Sequence, residues 1–228
     1  MNNYSLAVFD IAGTTVKDRG NVASSFINAF RENGHPIPAD EVNKVMGWRK
    51  ADAIKMLLMQ YYGSNDSLTT ELVNQIHDDF IHNMILFYEQ DEELQPLYFA
   101  EEVFEDLRRN NIKIALNTGF TRSIADVILK RLEWLPGGKI DYIVASDEVD
   151  EGRPYPFMIQ HLMKEAGITE PSSVVKIGDT EVDIMEGRNA GCGMVVGVTT
   201  GAYTKEELKS YKPDFIIDRL SQLPSLIL

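Results

Sequence analysis

The chain has 228 residues, 44% of them hydrophobic and 25% charged, with a net charge of −13. That composition suits one large globular domain or two small ones. The surplus of Asp and Glu (35) over Lys and Arg (22) repels a phosphate backbone, which excludes nucleic acid as a partner and leaves room for a small anion only where cations gather locally.

In chain order, YSLAVFD (4–10) reads as a short buried strand ending in a carboxylate. From Asn21 the pattern turns helical: Phe26, Ile27 and Phe30 share a face, and Gly34 ends the segment. PADEVNKVMG gives a second short helix ending at Gly47, RKADAIKMLLMQYY (49–62) a third, and GSNDS a loop. In the longest helix Leu72, Ile76, Phe80, Met84 and Tyr88 recur every four residues, with Val73, Ile81 and Ile85 alongside. His35, His77 and His82 fall on a turn or a helix, without H-E-x-x-H spacing, and read as surface residues rather than metal ligands.

Past Pro96 the pattern alternates. FAEEVFEDLRRNN is a helix, IKIALNT a strand, TRSIADVILKRL a helix with Thr121 as candidate N-cap, and DYIVAS a strand. PYPFMIQHLMKEAG, SVVKIGD, EVDIMEGRNAG, MVVGVTT, TKEELKS and DFIID continue as helix, strand, helix, strand, short helix and strand. Such alternation predicts an α/β fold, a Rossmann-like parallel sheet with helices on both faces. The first strand must join that sheet. Residues 19–94 are then an inserted all-α cap, and 1–18 with 95–228 the core, the cap lying over the carboxyl edge where open α/β sheets bind ligands.

No apolar run is long enough to span a bilayer. The one cysteine, Cys192, sits between glycines, forms no intrachain disulfide and reads as a small buried residue. With no signal peptide visible, a cytoplasmic location is expected.

Four predicted strand ends carry polar residues: Asp10, Thr118, Arg153 in the loop after DYIVAS, and Asp179 with Asp183. Three carboxylates converging on one edge suit a divalent cation such as Mg²⁺, which takes one or two carboxylates plus a substrate phosphate. Taken alone, Asp179 and Asp183 read equally as a helix N-cap and a solvated first-turn acid. Thr118 and Gly119 precede a helix N-terminus that binds phosphate through its N–H groups, or simply make a capped turn. Arg153 is a planar fork for phosphate oxygens, or a surface cation before a proline.

Together the order DIAGTT, a Thr at the next strand end, a cation before Pro and GDTEVD resembles the haloacid dehalogenase (HAD) superfamily over essentially the whole chain. The resemblance implies Asp10 as the nucleophile that takes up a phosphoryl group. It implies Thr14, Thr118, Gly119 and Arg153 around that group, and Mg²⁺ held by Asp10, Asp179, Asp183 and the carbonyl of Ala12. The position that carries a general acid in HAD phosphatases is Ala12 here. A leaving carbon needs an electron sink rather than an acid, and a lysine imine is such a sink. In MGWRKADAI, Lys50 lies in the first turn of a predicted helix beside Arg49, where helix end and neighbouring cation both favour the neutral amine.

DIAGT, GRPYP and MGWRK together resemble phosphonoacetaldehyde hydrolase (phosphonatase) or a close phosphonatase-like group. That implies a Schiff base at Lys50, with Met46 and Gly47 lining the cap side; Arg49 is expected to read the substrate. The chain departs from that branch at Ala53, Phe120 and Gly20, in place of His, Tyr and Cys. The expected substrate is therefore phosphonoacetaldehyde or a related 2-oxoalkylphosphonate. The alternatives are a phosphate-monoester phosphatase acting on phosphoglycolate-like molecules and a phosphate-sensing module without turnover. The resemblance also allows a homodimer.

Overall fold

The protein is described from a computed structural model covering residues 4–63 and 70–228. Past Gly63, the expected GSNDS loop lies outside the described residues. Strand β1 (Leu6–Phe9) is fully buried. It is followed by α1 (Asn21–Glu32), α2 (Ala39–Asn43), α3 (Lys50–Tyr62) and α4 (Thr70–Gln90). The chain then runs through α5 (Ala100–Arg109), β2 (Lys113–Thr118), α6 (Arg122–Leu132), β3 (Tyr142–Ala145), α7 (Phe157–Ala166) and β4 (Val174–Gly178). It ends with α8 (Glu181–Asn189), β5 (Met194–Val198), α9 (Lys205–Ser210), β6 (Phe215–Ile217) and the short α10 (Pro224–Ile227).

The six described strands form one sheet, every pairing parallel, in the order β3-β2-β1-β4-β5-β6. Because strand side chains alternate, β1 feeds two cores. Leu6 and Val8 pack with Met158 and Leu162 of α7 and Ile184 of α8. Ala7 and Phe9 face the other way, toward Phe104 and Leu107 of α5 and Ile128 of α6. The α/β class with helices on both faces is therefore as the alternation predicts. Strand order reverses between β1 and β4, and such a switch point opens a crevice beyond the strands' carboxyl ends.

The inserted helices join the same apolar cluster as Phe9 and Phe104 of the core. Phe26 meets Phe30 and Phe80 edge to face at 5.2 and 5.4 Å. The connections into and out of this layer run side by side: Leu97 N donates to Thr15 O at 2.7 Å, Val16 bridges Pro96, and Arg19 grips Asp91 at 2.8 and 2.9 Å. Arg131 of α6 donates to the Tyr88 and Asp91 carbonyls at 2.6 and 2.7 Å, satisfying groups the C-terminus of α4 leaves open.

Two local expectations change. The second helix stops at Asn43 rather than Gly47, because bonds from Val45, Met46 and Trp48 reach back three residues to Val42, Asn43 and Val45, which tightens the chain into turns. Thr121 occupies the N-cap of α6, but its hydroxyl pairs with Ser123 Oγ at 2.9 Å, and the Arg122 N–H goes to Asp147 instead. Cys192 is buried and free, its thiol pushed up to about 12 by burial. No helix among the described residues is long and apolar enough to cross a membrane.

Candidate active site

β1 delivers Asp10 one residue past its end, anchored by a bond from Asp10 N to Ile177 O of β4. The chain then folds back on itself: the Ile11 carbonyl accepts from the N–H groups of Thr14, Thr15 and Val16. Gly13 makes that turn at φ +84°, where a Cβ would stand 2.8 Å from Asp179 Oδ2 and from the Gly201 backbone. Asp179 follows β4 directly, so β1 and β4 bring the two carboxylates together. Thr14 donates to Asp179 Oδ1 at 3.1 Å and Ala202 N to Oδ2 at 2.7 Å.

Beside them lies a buried charge cluster centred on Arg153. Its Nη1 donates to Asp10 Oδ1 at 2.7 Å, and its Nη2 to the backbone and side-chain oxygens of Asn117 at 2.8 and 2.7 Å. Asp183 Oδ1 sits 3.0 Å from Arg153 and 2.9 Å from Lys176, while Thr180 gives its N–H and hydroxyl to Oδ2. Glu186 accepts both bonds of the Asn117 amide and lies 3.3 Å from Arg153 Nε and from Lys176. Arg153 Nε and Asp183 Oδ1 are thus held by ion pairing at angles too oblique for hydrogen bonds. Although burial pushes the Asp183 carboxyl up, Arg153 and Lys176 hold it below the usual range.

Among the described residues no cation pairs with Asp179 in this way. Burial first, then Asp10 and Asp183, raise its carboxyl well above the ordinary value, and burial raises Asp10 to about 6 against the pull of Arg153. The Ala12 carbonyl, which lines the same cavity, accepts no hydrogen bond from any described residue, whereas Ile11 O and Gly13 O on either side do. Two under-compensated carboxylates and a free carbonyl form a hard oxygen donor set that fits a divalent cation. Asp183 stands beside this set, its Oδ2 bonded by Thr180 and its Oδ1 ion-paired with Arg153 and Lys176 but without a hydrogen bond. Among the described residues no three His, Cys, Asp or Glu side chains form a closed cage. A cation there would keep positions open for water and substrate.

The cap side is built by the turn between α2 and α3. Gly47, at φ +81°, lets the turn approach Thr180 and Val182 more closely than any side chain allows. Gly119 is its counterpart on the core: a Cβ there would stand 2.7 Å from the Gly47 and Trp48 carbonyls. Arg49 packs over Gly152 and donates to Asp150 O at 2.8 Å, so it ties cap to core rather than facing the cavity. Gly119→Ala should hold the cap away from the core and lower kcat/KM by about a hundredfold with little change in thermal stability; steady-state kinetics beside a melting curve would check this.

Lys50 opens α3 and is buried, its Nζ 3.2 Å from Trp48 O and 5.6 Å from the Phe26 ring. Burial lowers its ammonium to about 8, with Asp10 opposing and Arg153 assisting. The cation that matters is therefore Arg153 of the core, not the neighbouring Arg49. Lys50, Met46 and Gly47 share with Asp10, Ala12, Thr118, Gly119 and Asp179 the wall of a cavity of about 30 Å³. That is room for about two waters, so cap and core leave only a narrow space between them. Thr118 accepts from Phe120 N at 3.1 Å, which leaves its hydroxyl proton to donate.

A buried ammonium destabilises the fold. Lys50→Met should add about 2–3 kcal/mol at pH 7, from a lysine lowered from 10.5 to about 8. At pH 7 the amine is charged in both folded and unfolded chains, and only the folded one suffers. Above pH 8 the folded amine turns neutral while the unfolded one stays charged, so the advantage shrinks toward pH 10.5. Urea unfolding of both proteins at pH 7 and pH 10 measures the difference.

The motif reading did not single out Asn117, Lys176, Glu186 or Asp18. A signal was present for two of them: Lys176 interrupts the apolar run VVKIG, and Glu186 follows Asp183 at a helical spacing of three.

A family model for haloacid dehalogenase-like hydrolases matches residues 4–191. The phosphonoacetaldehyde hydrolase of Bacillus anthracis is 35% identical over 218 residues, 90% of this chain and 81% of that protein. A hydrolase from Pseudomonas syringae superposes with a TM-score of 0.85 at 23% identity, over 97% of each chain. A phosphonoacetaldehyde hydrolase-like protein from Oleispira antarctica superposes with a TM-score of 0.81 at 24% identity, over 99% of this chain and 91% of that one. With a family match that spans most of the sequence and a relative aligned almost end to end, the chain belongs to the haloacid dehalogenase-like hydrolases, in their phosphonoacetaldehyde hydrolase-like branch.

Proposed function

We propose that this hydrolase splits the C–P bond of phosphonoacetaldehyde or a related 2-oxoalkylphosphonate, with Mg²⁺ as cofactor. The observation that carries the reading is a buried lysine of lowered proton affinity lining the same narrow cavity as Asp10, where Ala12 offers no acid. The name of the Bacillus relative points the same way.

In this reading Asp10, Asp179, Asp183 and the Ala12 carbonyl would hold Mg²⁺, and Asp183 also pairs with Arg153. Bound there, the ion neutralises charge on the phosphoryl oxygens. Thr14 steadies Asp179. Lys50, as its neutral amine, condenses with the carbonyl and takes up one proton, releasing water and leaving a cationic imine. Asp10 attacks phosphorus as the C–P bond breaks, and the bonding pair passes into an enamine on Lys50. Arg153, Thr118 and the Gly119 N–H hold the phosphoryl oxygens. Water then cleaves the aspartyl phosphate and, after the carbon is protonated, the imine. Met46 and Gly47 close the cap side against bulk water.

The test is phosphate release from phosphonoacetaldehyde with Mg²⁺, with and without borohydride, followed by intact mass. Turnover that borohydride abolishes, with a two-carbon adduct on Lys50, is the expected result. Ester hydrolysis that persists in Lys50→Ala would replace this reading with a monoester phosphatase.

A further inference from the structure

Imine chemistry at Lys50 needs a proton carrier as well as an amine. Besides Lys50, three titratable groups line the cavity: Asp10, Asp179 and Asp18. Asp10 is bonded to Arg153, and Asp179 to Thr14 and Ala202. Asp18 lies on the segment that leads from the core into α1. Its Oδ1 accepts from the N–H groups of Gly20 and Asn21, both at 3.0 Å, which fixes the carboxylate plane. Its Oδ2 has no donor among the described residues. Val22, Met46 and Phe120 add apolar surface to the same wall, and its threonines, Thr118 and Thr180, are not acids. The charge of Asp18 is also felt at Lys50, where it favours the ammonium.

We infer that Asp18 is the acid–base catalyst for imine formation and hydrolysis at Lys50, an inference that rests on the Schiff-base reading above. The proton count closes. The Lys50 ammonium gives one proton to the Asp18 carboxylate, and the neutral nitrogen attacks the carbonyl carbon. Asp18 returns that proton to the new alkoxide. It then takes a second proton from nitrogen and gives it to the departing hydroxyl, which leaves as water while the C=N bond forms. Three protons on nitrogen become one on the iminium and two in the water, and Asp18 ends as the carboxylate. Hydrolysis runs the same steps in reverse.

The experiment traps the full-length protein with acetaldehyde and borohydride and follows the alkylated Lys50 by intact mass over time. Asp18→Asn keeps an Oδ1 acceptor for Gly20 and Asn21, so the entry to α1 stays capped. It should melt with the parent yet trap about a hundredfold more slowly, the scale of general acid–base catalysis. Asp18→Glu should recover part of that rate, which a purely structural role would not produce. Trapping of Asp18→Asn at the parental rate would overturn the inference and leave the Lys50 imine standing. No adduct in the parent protein would overturn both.

Discussion

Asp10→Asn should abolish turnover, by 10⁴-fold or more, the scale on which removal of a nucleophile is felt. The same protein should fail to accumulate an acid-stable, base-labile phosphoryl adduct in rapid-quench experiments. The fold should survive. The asparagine amide retains an oxygen for the 2.7 Å bond from Arg153, and loss of the negative charge removes repulsion with Asp179 and Asp183. A melting temperature equal to or above that of the parent, with activity gone, separates loss of the reacting group from loss of structure. Residual turnover within tenfold of the parent would remove Asp10 from the nucleophile's role.

Lys50→Arg comes next. Arginine keeps a cation in the pocket but offers no amine for a carbonyl. Cleavage of a carbonyl phosphonate should fall by about 10³-fold or more and borohydride trapping should vanish, because the electron sink is lost while the phosphoryl machinery stays in place. The parent should show a trapping rate that rises with pH and levels off above about 8, where Lys50 has shed its proton. About a tenth of such a lysine is neutral at pH 7, against roughly three in ten thousand for one at 10.5. A trapping rate still climbing steeply at pH 10 would mean that burial does not lower the amine as described.

How far the site is legible in the sequence follows from how far apart its partners lie. Asp10, Thr118 and Asp179 announce themselves because each ends an apolar run. The alternation of strand and helix between them lets them converge at one edge, and the parallel sheet bears this out. The partners of Arg153 were not legible in this way. Its guanidinium joins Asn117 of β2, Asp10 after β1 and Glu186 of α8, and that meeting depends on strand order and register, which no local pattern encodes. Lys176 is fully buried, where a lone lysine in a strand would be costly without the two carboxylates that face it. The role of Arg49 is misread for the same reason: its partner, Asp150 O, belongs to the β3–α7 loop, which only the closed cap brings near. Gly119 reads as a phosphate-binding turn, while the equally strict demand on it, contact with the Gly47 and Trp48 carbonyls, arises across the cap–core boundary.

The central place of β1 also governs when the protein can form. Leu6 pairs with Lys113 on one side and Val174 on the other, so the first strand to be made waits longer than any other for its second neighbour. At about 5–20 residues per second, a ribosome needs roughly 10–30 s between making β1 and making β4. Throughout that interval the apolar LAVF segment has no complete sheet to enter, while from about its midpoint α1–α4 exist and can collapse around Phe26, Phe30 and Phe80. The helical layer therefore gains structure during synthesis, and the sheet closes only near its end. Refolding should therefore be slow, because the pairing that completes the sheet around β1 spans a layer inserted inside its first connection.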